Sequence, residues 1–428
     1  MQLRTPVTLH SQQVALIEQP LDAKIFIEGP AGAGKTTVGV ERLLYLMALG
    51  VPADSVLLLL PQRTLGWPYY QALRHPGVVA GGTVDVLTVG GLAQRMVDLF
   101  WPLVAEQAGF GKPEQLPVFL TLETAQYYMA RLVRPMLDQG YFESVTIDRN
   151  RLYSQILDNL SKAAVVGFPY TEIGKRLKAA WTGELSQARV YDDAQYFATR
   201  FRLYCLENNL LDFSLQLEVF LEHLWPMPLV REILVEGYRH LVVDNLEEDN
   251  PVAHDLLGEW LPDFESALLI FDQGAGYRNF LGADPHSAYT LKELCNEHAE
   301  FFDSYINSPE VGTFAAYLGH ALGGSVETSR RDVSTYDDRR PVGDVSTEGV
   351  LIFDPKRYHP EMLDWVVEQI AALVHRGVPP SEVVILAPYM GDALRFSLTN
   401  RLEAAGVPAR THRASRALRE ESASQCLM

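Results

Sequence analysis

Gly29-Pro-Ala-Gly-Ala-Gly-Lys35-Thr36 follows the apolar run Lys24-Ile-Phe-Ile-Glu28 and precedes Val40, Leu43, Leu44 and Met47, which are set at helical spacing. The eight residues match G-x-x-x-x-G-K-[ST] in full, and a strand before with a helix after is the setting in which that pattern forms a P-loop. Phosphates need converging backbone N–H groups. Gly29, Gly32 and Gly34 leave the backbone unhindered, and the positive end of the helix dipole adds to the attraction. Lys35 is placed to reach the β and γ phosphates. Thr36 would turn its hydroxyl to Mg²⁺, a hard cation that takes few protein oxygens, and Thr37 follows on the same helical turn. The expected ligand is a nucleoside triphosphate with Mg²⁺. An acid for the metal should end another strand, and Leu241-Val-Val-Asp244 supplies one, with Asp244 the first polar residue after an apolar run.

Outward from this motif, short apolar strands alternate with longer amphipathic helices, a pattern of α/β architecture. Strands are expected at Lys24 to Glu28, Val56 to Leu60, Thr83 to Val89, Leu241 to Asp244 and Ala267 to Asp272. Their continuous Val/Ile/Leu character suits a parallel sheet covered on both faces. From about Phe100 to Cys205 the pattern is mostly helical, which reads as an insertion. Ser325 to Glu348 has few large apolar residues and reads as a mobile linker. A further α/β stretch follows, with strands at Val350 to Phe353 and Glu382 to Leu386 and helices at Met362 to Val374 and Asp392 to Ala405. The expected organisation is thus one α/β domain from residues 1–100 and 206–285, a helical insertion at 101–205, and an incomplete second domain at 286–428.

The chain has 428 residues, of which 47% are hydrophobic and 21% charged, the balance of a globular protein with room for two or three domains. Its apolar runs are too short to cross a bilayer, and Met1-Gln-Leu-Arg-Thr-Pro lacks the layout of a secretion signal, so a cytoplasmic location is expected and no membrane partner. Cys205, Cys295 and Cys426 lack metal-ligand spacing and are odd in number, so neither a disulfide framework nor a zinc site is suggested. A net charge of −18 opposes nucleic-acid binding in general. Charge acts locally, however, within about 8 Å at physiological salt. Lys175, Arg176 and Lys178, Arg200 and Arg202, and the run Arg410, His412, Arg413, Arg416, Arg419 are candidates for a basic groove, although such clusters are more often solvated faces.

The order of these motifs resembles the UvrD/Rep/PcrA type of superfamily 1 DNA helicase over nearly the whole chain. Leu9-His-Ser-Gln-Gln13-Val-Ala is similar to the family's Q motif, which implies that Gln13 hydrogen-bonds the adenine edge of ATP. Thr88-Val-Gly-Gly-Leu-Ala-Gln-Arg95 is similar to the T-F-H-G-L-A-x-R segment that touches single-stranded DNA. Leu210-Leu-Asp212-Phe213 resembles the short L-x-D-F signal, and Asp244-Asn-Leu-Glu-Glu-Asp-Asn250 stands where the family has D-E-x-Q-D. Phe271-Asp272 to Ala283 stands at G-D-x-x-Q-S-I-Y-x-F-R-G-A, with Phe280 as the aromatic that stacks on a base. Glu382 to Arg410 resembles the opening of the family's second motor domain. The resemblance implies two RecA-like domains, the second only begun here, with ATP and Mg²⁺ as cofactors, Lys35 and Asp244 as catalytic residues, and single-stranded DNA contacted by Thr88, Arg95 and Phe280 in repair or recombination.

The sequence departs from that family at costly positions. Asn245 replaces the glutamate that activates water, and an amide cannot accept a proton. Glu247 or Glu248 would have to substitute. Ala275 and Leu281 replace the glutamine and arginine of the third motif, and the fourth motif, N-Y-R-S, would fall near Leu294-Cys-Asn-Glu297 without its arginine or its adenine-stacking tyrosine. The chain stops at Met428, before the family's fifth and sixth motifs, so a partner subunit or a missing C-terminal half is expected to complete the ATP site. Three readings follow. The first is an ATP-binding helicase-family protein with weak or partner-dependent hydrolysis. The second is a catalytically silent scaffold subunit that binds ATP and DNA ends. The third is a metabolic P-loop enzyme unrelated to DNA.

Overall fold

Alternation within the strands builds two cores on one sheet. In Lys24–Gly29 (β1), Ile25 and Ile27 face one side while Phe26 faces the other, because successive side chains of a strand point to opposite faces. Leu58 and Leu57 divide in the same way in Val56–Leu59 (β2), and so do Val242 and Leu241 in the later strand His240–Val243. A sheet apolar on both faces must be covered on both. The computed structural model describes residues 8–75, 82–184, 188–321, 347, 349–388 and 390–410, which form two compact units, Met1–Gly343 and Asp344–Met428.

The remaining strands are Asp85–Leu87 (β3), Val118–Phe119 (β4), Leu210–Leu211 (β5), His240–Val243 (β6), Ser266–Asp272 (β7) and Glu297–Glu300 (β8). Six form one parallel sheet in the order β3-β2-β6-β7-β1-β8, while β4 and β5 make a separate parallel pair. This is the mixed α/β architecture with a parallel central sheet expected for a RecA-like domain.

The first helices, Ser11–Ile17 (α1), Lys35–Ala48 (α2) and Trp67–Leu73 (α3), cover one face of the sheet. The other face is covered from Val89–Val104 (α4), Leu122–Leu137 (α5), Arg149–Val166 (α6), Ile173–Ala180 (α7), Arg189–Glu207 (α8), Phe213–Glu218 (α9), Pro228–Gly237 (α10), Pro251–Trp260 (α11) and Pro285–Thr290 (α12). Pro309–Ala321 (α13) completes the helices described in the first unit. Helices α5 to α8 lie in the stretch expected as an insertion, and they share one core with the sheet, since Phe197, Phe201 and Met129 cluster with Leu57, Leu241 and Leu269.

Local signals fix several of these ends. Asp148 caps α6 by accepting from the amides of Asn150 and Arg151, and Gly167, with φ +84°, ends it in a left-handed turn. Asp212 of the L-x-D-F signal caps α9 through the amides of Ser214 and Leu215 and forms an ion pair with buried Arg202. Arg202 also pairs with Glu218, so it is a structural group and not part of a DNA groove. Arg176 and Lys178 pair with Glu172 and Asp192, and Arg200 lies over the Tyr196 ring.

Three expectations need correction. The first unit does not end at 285, because β8 pairs with β1 at the edge of the first sheet. In the second unit His359–His375 (α14) and Asp392–Ala404 (α15) pack through Leu363, Val367, Ile370, Leu398 and Leu402. Val350 to Phe353 and Glu382 to Leu386, however, are not strands. A strand needs a neighbour for its backbone groups, and among the described residues of this unit neither segment has one. Apart from Thr347, the expected linker at 325–348 lies outside the described residues, as do His412, Arg413, Arg416, Arg419 and Cys426. Among the described residues no helix is long and apolar enough to cross a membrane.

Because insertion and sheet share a core, truncation of Phe197 should be felt by both. Phe197→Ala is expected to lower stability by about 3–5 kcal/mol, in a single urea transition when followed by tryptophan fluorescence and by far-ultraviolet dichroism. An earlier, separate transition of the helices would show that the cores are independent.

Candidate nucleotide site

Parallel strands end together, so the loops after β1, β2, β6 and β7 gather at one edge of the sheet. Pairing of β1 with β7 sets Gly29 opposite Asp272, and pairing of β2 with β6 sets Leu59 opposite Val243, one residue before Asp244. Gly32 and Gly34 take left-handed backbone at φ +81° and +77°, which turns the chain from β1 into the N-terminus of α2. This leaves the first amides of a 14-residue helix facing the loop. Thr37 lies half-buried on the first turn of that helix.

Lys35 is buried, and its ammonium is satisfied within the loop. Nζ donates to the carbonyl oxygens of Gly29 at 2.9 Å and Pro30 at 2.6 Å and forms an ion pair with Asp272 Oδ1 at 2.6 Å. Asp244 is likewise buried. Its Oδ2 accepts from the Tyr69 hydroxyl at 2.9 Å and its Oδ1 from the Asn245 amide at 2.9 Å, and the Thr36 hydroxyl lies close enough to lower the pKa of the same carboxylate. Burial raises the Asp244 pKa, and the hydrogen bonds from Tyr69 and Thr36 oppose that rise. The Tyr69 phenol is pushed well above its ordinary value by burial and by Asp244, so it remains a donor. Thr36 and Asp244, one hydroxyl and one carboxylate close together beside a glycine-lined helix N-terminus, are the kind of oxygen donors that Mg²⁺ on a triphosphate takes. The residues present therefore fit Mg²⁺ with a nucleotide.

A shelf of side chains adjoins the loop. Gln13 is buried, and its Oε1 accepts from the His10 amide at 3.0 Å while its Nε2 stands 2.6 Å from where a Cβ on Gly34 would be. Tyr305 donates its amide to the Gly32 carbonyl at 2.9 Å, and its ring stacks on His10 with centroids 4.8 Å apart. Half of Tyr305 remains exposed. Leu294 to Glu297, where the fourth motif was expected, runs into the edge strand, whereas Ser304-Tyr305-Ile306-Asn307 lies against the loop after β1. Only the fold shows which tyrosine reaches Gly34.

Neither acid proposed to replace the missing glutamate is free to do so. Glu248 accepts from three backbone amides, those of Gly276, Tyr277 and Arg278, and thereby ties down the loop after β7. Glu247 accepts from the Asp272 amide through Oε2 at 2.9 Å, while its buried Oε1 has no partner. Burial, more than the nearby Asp272 carboxylate, raises its pKa from 4.5 to about 8. Asn245 itself takes left-handed backbone, φ +59° and ψ +47°.

The expected DNA contacts are spread along the same edge and beyond it. Thr88 Oγ1 caps α4 by accepting from the Gly91 amide at 3.0 Å. Arg95 lies two turns further along that helix, held by Asp85 and Tyr238. Phe280 is exposed on the loop after β7, beside exposed Tyr277 and Leu281. Arg278 anchors that loop to the Pro61 carbonyl after β2 at 2.8 Å. A cavity of 640 Å³ beneath the loop is lined by Gly274, Ala275, Asn279, Asp284, His286 and Tyr289, among others.

A parallel sheet covered by helices on both faces, with a glycine-rich turn from β1 into α2 and a buried lysine at its start, defines the class: an α/β domain of RecA-like fold. No protein-family profile matches the chain. Over 388 residues it is 26% identical to proteins described as ATP-dependent DNA helicase UvrD2 from Mycobacterium bovis and Mycobacterium tuberculosis. The aligned region covers 87% of this chain and 51% of each relative, so the chain spans about half the length of the curated relatives it matches. This weak homology supports a UvrD-like DNA helicase family.

Glu247 yields a test of the site's electrostatics. Between pH 4.5 and about 8 the folded protein holds a proton that the unfolded chain has released, so this contribution to stability is complete at low pH and is lost as pH rises to about 8. Glu247→Gln removes the titration and keeps an acceptor for the Asp272 amide. Its stability relative to wild type should grow with pH, by about 4 kcal/mol between pH 4.5 and 9, as measured by urea denaturation across that range. A constant difference would place the Glu247 pKa near its ordinary value.

Proposed function

We propose that this chain binds ATP with Mg²⁺ at the P-loop and engages single-stranded DNA in the manner of a UvrD-like helicase, with hydrolysis that is weak or dependent on a partner. The observation that carries this reading is the junction of three parts at one sheet edge: the P-loop with Lys35, the Thr36–Asp244 pair, and the shelf of Gln13, His10 and Tyr305 beside Gly34. Mg²⁺, when bound, would neutralise phosphate charge. Thr36 and Asp244 would hold it, Lys35 would leave Asp272 for the phosphates, and the Tyr305 ring would stack on the base while Gln13 reads its edge. Release of Lys35 loosens Asp272, whose own amide is held by Glu247, so nucleotide binding is coupled to the loop that carries Phe280.

Weak hydrolysis is inferred from the same residues. Asn245 cannot take a proton from water, Glu248 is saturated by backbone amides, and Glu247 is buried and protonated at neutral pH. These facts also favour the second reading, a nucleotide-gated scaffold that binds DNA without moving along it. A role in repair or recombination, a partner subunit and a cytoplasmic site of action extend the first reading.

Mg-ATP turnover with and without an oligothymidine separates the two. In the first reading DNA stimulates a slow turnover, Lys35→Ala abolishes it, and Asn245→Glu raises it by about a hundredfold, the usual weight of a general base. In the second, ATP binding is lost in Lys35→Ala while no variant turns over. Phosphoryl transfer to a small molecule without response to DNA would defeat both.

Tyr305→Ala should weaken ATP binding about tenfold, as the loss of one aromatic stacking partner does, and leave inorganic triphosphate binding unchanged. Equal weakening of both ligands would remove Tyr305 from the base site.

A further inference from the structure

The Asp244 carboxylate has a partner far away in the sequence. Tyr69 sits on α3, wholly buried, and its hydroxyl donates to Asp244 Oδ2 at 2.9 Å across 175 residues of sequence. Space for it is made by Gly39 on α2, where a Cβ would stand 2.3 Å from the Tyr69 hydroxyl. Tyr69 thus passes between two helices to meet the end of β6, and all three elements belong to one core. A phenol that merely filled this core could have been phenylalanine.

We infer that Tyr69 is a positioning residue for the divalent cation: its hydroxyl fixes the Asp244 carboxylate so that one face remains directed at the Thr36 hydroxyl. This inference rests on the reading of Thr36 and Asp244 as the metal-binding pair. A carboxylate rotates freely about its last bond unless both oxygens are held, and here the Asn245 amide holds Oδ1 while Tyr69 holds Oδ2. Without the phenol the carboxylate keeps its backbone contact and gains a rotation that turns its lone pairs off the Thr36 side. Groups in this relation to a metal ligand change metal affinity without touching the metal. The hydroxyl acts through Asp244 and touches no nucleotide atom, so its loss should alter the metal requirement and spare metal-free binding.

The test is fluorescence titration of the full chain with mant-ATP, in EDTA and then over increasing Mg²⁺. In wild type, Mg²⁺ should tighten binding, and Thr36→Ala should abolish that tightening. Tyr69→Phe is expected to bind mant-ATP in EDTA as wild type does, to melt near the wild-type temperature, and to need about tenfold more Mg²⁺ for half of the tightening. Gly39→Ala, which crowds the phenol from the opposite side, should shift the Mg²⁺ requirement in the same direction and carries the test should Tyr69→Phe not fold. A folded Tyr69→Phe with the wild-type Mg²⁺ response would overturn the role of Tyr69 alone. Absence of any Mg²⁺ response in wild type would overturn the metal reading on which it rests.

Discussion

Gly29 and Asp272 stand side by side because β1 and β7 pair in parallel, and the ion pair between Asp272 and Lys35 follows from that register. A slip of one residue would send every side chain of β1 to the opposite core. Ile25 and Ile27 would leave the helices α1 to α3, and Lys35 would lose its acceptor. The division of successive side chains between the two cores therefore also fixes where the P-loop lysine rests.

From that pair outward the site is a chain of hydrogen bonds between strand ends. Asp272 is held at its amide by Glu247, Glu248 holds the next turn at three amides, and Arg278 ties the same loop to Pro61. Asp244 is shared by Tyr69 and the Asn245 amide. Each buried carboxylate lies against donors, as burial in low dielectric requires. The exception among the described residues is Glu247 Oε1, on a carboxyl whose pKa burial raises to about 8. Acids that look in sequence like substitutes for a missing catalytic base are instead the fastenings of the loop that follows β7.

How far the candidate site could be read beforehand depended on how local its signals were. Gly29 to Thr36 carries its geometry in consecutive residues, since glycines, a lysine and a helix start suffice to describe a phosphate cradle. Asp244 was legible because it ends an apolar run. Arg202 read as basic surface and proved to be a buried partner of Asp212 and Glu218. Val350 to Phe353 and Glu382 to Leu386 read as strands by composition, but composition cannot supply the neighbour that a strand needs.

What the sequence determined by itself was the continuous apolar character of the central strands, the glycine-rich turn from β1 into α2, the place of Asp244 at the end of an apolar run, and the helical character of the stretch between α4 and β5. These depend on spacing within a few residues, where covalent geometry decides which side chains share a face. The tertiary structure alone decided that Tyr305, and not a residue near Leu294, lies on His10 beside Gly34, that β8 closes the first sheet, and that Tyr69 reaches Asp244 across 175 positions. Contacts of that kind depend on how helices pack on a finished sheet, and no local pattern encodes the distance between two residues so far apart in the chain.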